Sequence, residues 1–197
     1  MRGLLRGLSE MARKNVIHRD LKPENIILSK EPMIIDFGLA TIADEEKYLF
    51  VRCGTPGYVA PEIINIKDMS TKSLPISDVF SAGCIFYYII FNKHLFMGKT
   101  GQEIITMNRE CDLVLTGPEF DRLNSKEVDL LRKMLQKEPE LRISAAEALR
   151  HPYLTDTDDK LYIPKILMRQ SGSCPIDLIS NENEAAVKFI TSTQKSS

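Results

Sequence analysis

The sequence predicts a mainly α-helical fold with one small β-hairpin, on the strength of three patterns. Residues 1 to 14 put Leu4, Leu8 and Met11 on one helical face, with Leu5 and Ala12 beside them, and Arg2, Arg6 and Arg13 opposite. Residues 82 to 91 are apolar throughout, the mark of a helix buried on all sides. Between these two helices, Ile26-Ile27-Leu28 and Met33-Ile34-Ile35 are short β-branched runs. Ser29-Lys30-Glu31-Pro32 separates them, and the proline drives Glu31 out of helix and into a turn.

Composition narrows the function classes. The chain has 197 residues, 43% apolar and 27% charged, enough for one good core and ordinary for a soluble globular domain. Its net charge is −1 and it has no basic run, so neither nucleic acid nor an anionic membrane is expected as a partner. The longest apolar stretch, 82 to 91, is about half of the ~20 residues that a bilayer requires. Cys53, Cys84, Cys111 and Cys174 show neither close pairing nor metal-type spacing, and no secretory leader precedes them. Reduced thiols in a cytoplasmic or nuclear protein are the expectation.

In the first helix the periodic pattern is already running at residue 4, with no Ser, Asp or Pro start signal ahead of it. The chain is therefore expected to begin inside an element. After it comes the stretch with the most chemistry, Val16-Ile17-His18-Arg19-Asp20-Leu21-Lys22-Pro23-Glu24-Asn25, then Ile34-Ile35-Asp36-Phe37-Gly38. The first part supplies a carboxylate, an ammonium and a carboxamide, and the hairpin should return a second carboxylate, Asp36, to the same end as Asn25. Oxygen ligands so placed can share Mg²⁺, a hard cation that also takes phosphate oxygens. Phosphoryl transfer needs such a set, because the moving group spreads negative charge over its oxygens and an oriented base must meet the attacking hydroxyl.

The spacing His-Arg-Asp, four residues, Asn, then Asp-Phe-Gly resembles the catalytic and metal-binding loops of the eukaryotic protein kinases. The resemblance implies that Asp20 orients the hydroxyl and accepts its proton, Lys22 steadies the moving charge, and Asn25 and Asp36 hold Mg²⁺ beside ATP. It also implies that Ile27 forms the adenine floor, while Gly38 lets the backbone turn at the metal.

Further along, Gly54-Thr55-Pro56-Gly57-Tyr58-Val59-Ala60-Pro61-Glu62 resembles the end of a Ser/Thr-kinase activation segment, most closely that of the calmodulin-dependent group. By that likeness Thr55 bonds Asp20 and Lys22. Arg19 stands where such kinases often use a phosphorylated residue to neutralise it, but the position concerned is Val51. Thr41 and Tyr48 are the other hydroxyls ahead of Thr55, and Asp44-Glu45-Glu46 is an anionic cluster that would serve Arg19 unmodified.

Ser77-Asp78-Val79-Phe80-Ser81-Ala82-Gly83 resembles the opening of the kinase's central helix, with Phe80 in place of Trp and Asp78 supporting the catalytic-loop backbone. Ser125 is expected to cap a helix running to about 136, with Val128, Leu131 and Leu135 on one face. Ser144-Ala145-Ala146-Glu147 reads as a capping box. Arg142 matches the arginine that pairs with the glutamate of Ala-Pro-Glu, here Glu62. His18 and His151 are expected to be structural, and His94 has no assigned partner.

The family's Gly-rich loop, strand lysine and helix glutamate are not found. The expectation is therefore a truncated kinase-like α+β fold: a C-lobe over 1–154 followed by a loosely ordered tail over 155–197 that could dock back on it. Such a chain is expected to phosphorylate Ser or Thr of protein substrates from ATP. The alternative is a non-catalytic half-kinase that docks substrates or a partner.

Overall fold

The computed structural model describes residues 1–43, 51–67 and 73–156. The acidic cluster Asp44-Glu45-Glu46, Tyr48, Cys174 and the tail beyond Asp156 lie outside the described residues.

Helix α1 (Arg2–Arg13) buries Leu4, Leu5 and Leu8 against the core. Ala12, expected beside that face, is exposed. Gly3 and Gly7 make a second contact surface: a Cβ on Gly3 would meet Pro32 Cδ at 2.6 Å, and one on Gly7 would meet Ile34 Cδ1 at 3.1 Å. The hairpin thus rests directly on the helix backbone.

Among the described residues four two-residue strands follow in two antiparallel ladders. Strand β2 (Ile26–Ile27) pairs with β3 (Met33–Ile34), Ile26 opposite Ile34, as the hairpin pattern requires. The second ladder was not foreseen: β1 (Val16–Ile17) pairs with β4 (Thr41–Ile42), Val16 opposite Ile42, and the Ala43 N–H extends it to the Asn15 carbonyl at 2.8 Å. Residues 18–25 join β1 to β2, and 35–40 join β3 to β4. Both motif-bearing loops are therefore tied at each end to a ladder.

Helix α2 (Pro61–Ile64) and helix α3 (Ile76–Phe91) carry the core onward. Helix α3 is buried without interruption from Ser77 to Phe86, but its last turn is not: Tyr87, Tyr88, Ile90 and Phe91 are half-buried and Ile89 is exposed. Aromatic contacts extend the core there, with ring centroids 4.6 Å apart for Tyr87 and Phe91 and 4.9 Å for Phe91 and the buried Phe120. Helix α4 (Gly101–Glu110) starts on Thr100, whose side chain accepts the Glu103 N–H.

Helix α5 (Ser125–Met134) is capped by Asn124, which accepts the Lys126 N–H, and not by Ser125. Either residue type can cap, and the backbone is extended at 124 and helical from 125. Val128, Leu131 and Leu135 are buried together. Helix α6 (Ala145–Ala148) opens on the Ser144/Glu147 capping box, and α7 (Pro152–Thr155) ends the described chain. The Arg2 guanidinium donates to the Leu154 carbonyl, joining α1 to α7. No helix among the described residues is long and apolar enough to cross a membrane.

Candidate active site

One carboxylate at the start of α3 holds the loop between β1 and β2. Asp78, 3% exposed, accepts the His18 N–H at 2.7 Å on Oδ2 and the Arg19 N–H at 3.0 Å on Oδ1. Burial raises its carboxyl from the ordinary aspartate value, while the two N–H donors and the nearby Arg19 charge pull the other way. His18 is fully buried and connects the two loops: its Nδ1 accepts the Asp20 N–H at 3.4 Å, and its Nε2 lies 2.9 Å from the Ile35 carbonyl. Those roles fit a neutral ring with the proton on Nε2. The same ring meets Phe37 edge-on at 5.1 Å between centroids.

Around Asp20 three polar groups converge. The Thr55 hydroxyl donates to Asp20 Oδ1 at 2.6 Å, Lys22 Nζ donates to Thr55 Oγ1 at 3.1 Å, and Lys22 Nζ lies 3.2 Å from Asp20 Oδ2. Asn25, buried in a 3-10 turn (Pro23–Asn25), donates through Nδ2 to the Asp20 carbonyl at 2.8 Å. That bond leaves the carboxamide oxygen as its remaining ligand atom. The Ile35 N–H reaches the Asn25 carbonyl at 2.9 Å, so Asp36 leaves the hairpin next to Asn25.

Gly38 lies in the turn expected of it, closed by the Ala40 N–H on the Phe37 carbonyl at 3.0 Å, but it does not supply the left-handed conformation. The left-handed residue is Asp36 itself, at φ 60°, a region that Asp tolerates because its short side chain bonds locally; here Oδ1 accepts the Gly38 N–H at 3.2 Å. Gly38 instead serves close approach, since a Cβ there would sit 3.1 Å from that same oxygen. Arg19, at φ 72°, is the second left-handed residue of the site. It faces Gly54, which combines φ 123° with a position where a Cβ would fall 2.9 Å from the Arg19 carbonyl.

Asp20, Asn25 and Asp36 are hard oxygen donors. A carboxylate and a carboxamide, completed by phosphate oxygens and water, is a set that suits Mg²⁺. No group of three or more His, Cys, Asp or Glu among the described residues forms a self-sufficient metal cage, and Mg²⁺ beside a nucleotide needs none. Ile27 is exposed on the hairpin, as are Leu28 and Met33, and Phe37 in the following loop and Ile42 on β4 are exposed too.

Farther out, Arg142 donates to both oxygens of Glu62, at 2.7 and 2.9 Å, and its guanidinium carbon lies 5.1 Å from the Phe80 ring centroid. Burial raises the Cys53 thiol, opposed by Arg19 beside it. His94, unassigned from sequence, meets Tyr58: Tyr58 Oη and His94 Nδ1 are 3.2 Å apart. His151 does more than pack. It accepts the Tyr153 N–H as the cap of α7 and contacts Asp129 Oδ2 at 2.8 Å.

Sequence reasoning missed Asn108, which is fully buried on α4. It accepts the Gly57 N–H at 2.9 Å and donates to the Val59 carbonyl at 2.9 Å, clamping the segment that carries Thr55. Its signal was a polar residue at helical spacing behind Ile104 and Ile105. Ser81 adds a bond to the Tyr58 carbonyl at 2.8 Å.

The protein kinase domain family model matches residues 1–154. The chain is similar to serine/threonine-protein kinase 17A of Oryctolagus cuniculus, 36% identical over 162 residues, covering 80% of this chain and 40% of the relative. It is also similar to myosin light chain kinase family member 4 of Mus musculus, at 36% over 160 residues (79% and 40%). Calcium-dependent protein kinase 4 of Plasmodium falciparum is 33% identical over 199 residues (98% and 35%). The chain spans about 40% of the length of the curated relatives it matches first.

Proposed function

This chain belongs to the protein kinase family, among the eukaryotic serine/threonine kinases of the calmodulin-dependent group, and on that premise we propose that it transfers the γ-phosphoryl of ATP to Ser or Thr hydroxyls of proteins. The observation that carries this reading is the Asp20, Lys22, Thr55 triangle, with Asn25 bonded to the same loop. Within the proposal, residues 1–154 are the C-lobe portion of a catalytic domain, followed by a tail over 155–197.

Asp20 orients the acceptor hydroxyl and takes its proton as the new bond from that oxygen to the γ-phosphorus forms and the bond to the β–γ bridging oxygen breaks, with ADP leaving. Thr55 and Lys22 hold that carboxylate on both oxygens, which leaves it one aim. Lys22 also faces the charge that moves to the acceptor. Asn25 and Asp36 would hold Mg²⁺, which would offset phosphate charge. Ile27, apolar and exposed beside that end of the hairpin, suits the flat face of adenine.

The test is transfer of labelled γ-phosphate from Mg-ATP to a Ser-containing peptide by the chain, with Asp20→Asn and Asp36→Ala as controls. Loss of a catalytic base should cost roughly 10²- to 10⁴-fold. An Asp20→Asn variant as fast as the parent would remove the base assignment. A chain that binds peptide but transfers nothing would return the protein to the docking-module reading.

A further inference from the structure

The segment 51–55 runs directly over the loop that holds Asp20. Thr55 touches Asp20 Oδ1 at 2.6 Å, and Gly54 packs on the Arg19 carbonyl. Burial alternates ahead of it: Val51 and Cys53 are buried, so Arg52 between them takes the outer face and is partly exposed. Its guanidinium is nonetheless fixed. Nε donates to the Ile66 carbonyl at 2.9 Å and Nη2 donates to the same oxygen.

That arrangement uses one edge of the guanidinium on a neutral acceptor and leaves the other edge, Nη1 with the second Nη2 hydrogen, as a parallel pair of donors. Among the described residues Arg52 forms no ion pair. Among the described residues the carboxylates of the site are committed elsewhere: Asp20 to Thr55 and Lys22, Asp78 to the 18–19 backbone, Glu62 to Arg142. A positive fork already held in place loses little further freedom on meeting a carboxylate, and its shape matches one bidentately.

Position supplies the rest. Arg52 is three residues from Thr55, a backbone span of at most about 10 Å, and an extended peptide advances about 3.3–3.6 Å per residue. We propose that Arg52 reads a carboxylate side chain in the protein substrate, within about three residues of the hydroxyl that Asp20 addresses, so that the chain favours acidic sites. This assignment rests on the kinase reading above for its substrate, but its test does not depend on turnover.

Fluorescence anisotropy on the full chain would compare labelled Ser-centred peptides that are all-Ala or carry one Asp at each of the three positions on either side. At least one Asp position should tighten binding roughly tenfold, the scale of one charge-assisted hydrogen-bonded contact. Arg52→Ala should erase that preference, and Arg52→Glu should turn it toward Lys-bearing peptides. Arg52→Gln, which keeps a donor for Ile66, stands in if the alanine variant loses its circular dichroism. Equal binding of every peptide by the parent, or a preference unchanged in the variants, overturns the proposal. A phosphoserine at the same position that binds while Asp does not assigns the site to phosphate and also overturns it. Phosphoryl transfer to the same peptides separates the two readings. Acid preference through Arg52 without transfer sinks the kinase function alone, and transfer without acid preference sinks this inference alone.

Discussion

Arg142 and Glu62 lie eighty positions apart in the chain and meet through two hydrogen bonds, Nη1 to Oε1 at 2.7 Å and Nη2 to Oε2 at 2.9 Å. The other donors of Arg142 go to the carbonyls of Gln136, Ile76 and Lys137, so a side chain inside the core has its charge and its hydrogen bonds satisfied together. The pair joins α2 to the turn before α6 and to the start of α3.

Arg142→Ala should therefore destabilise the fold by about 3–5 kcal/mol, because it strands the Glu62 carboxylate and three carbonyls at once. Arg142→Lys, which keeps charge but loses the fork, should recover only part of this. Urea unfolding followed by circular dichroism measures both, and a loss under about 1 kcal/mol for the alanine variant would contradict the account.

Thr55→Val removes a hydroxyl that donates to Asp20 and accepts from Lys22, with little change of shape. Lys22 and Asp20 still meet directly at 3.2 Å, so the fold should hold while the aim of Asp20 loosens. Transfer should slow by about 10- to 100-fold in kcat with KM for ATP nearly unchanged, and Thr55→Ser should restore it. Equal rates in steady-state assays would show that the hydroxyl is dispensable.

The described thiols should be inert in the native protein. Burial pushes Cys111 up to about 11 and raises Cys53 and Cys84 as well. At pH 8 a thiol of that value is only about one part in a thousand thiolate. Alkylation by iodoacetamide, read by peptide mass spectrometry, should be slow at these three positions and become rapid in denaturant.

Asp129 gives the acid limb its sign. Hydrogen bonds from Lys133 at 2.7 Å and His151 at 2.8 Å hold its carboxyl below the usual value of 3.8. A depressed carboxylate stabilises above its unfolded value and loses that contribution as pH falls through its folded one. Asp129→Asn should accordingly lower stability at pH 7 and flatten the decline below about pH 4. Asp78, raised by burial, works in the opposite sense, favouring the fold less as pH rises through its folded value. Melting temperatures of parent and variant from pH 3 to 7 separate the two.

Much of the site was legible because its residues are close in sequence. Asp20, Lys22 and Asn25 occupy one loop, and a hairpin with a proline turn could only bring Asp36 back to them. The Ser144/Glu147 box was legible for the same reason, both partners being local. What escaped depends on tertiary placement. Strands β1 and β4 are each two residues long, too short for a period to register. Asn108 reads as an interruption of a helix until Gly57 and Val59 are seen against it. Gly38 does sit in a turn, but the left-handed residue beside it is Asp36, which bonds its own loop, and sequence favours glycine for that conformation. Asn124 and Ser125 are both competent caps, and only the backbone at 124 decides between them.

Arg19 and Asp36 both sit in a backbone region that side-chain-bearing residues avoid, at a cost of order 1 kcal/mol or more each. Replacing either with glycine would relieve that backbone cost, and at position 36 the same change would delete the carboxylate assigned to the metal. Breeding this protein for heat tolerance alone would therefore drift toward sturdy, silent forms, and any such campaign must score turnover alongside endurance.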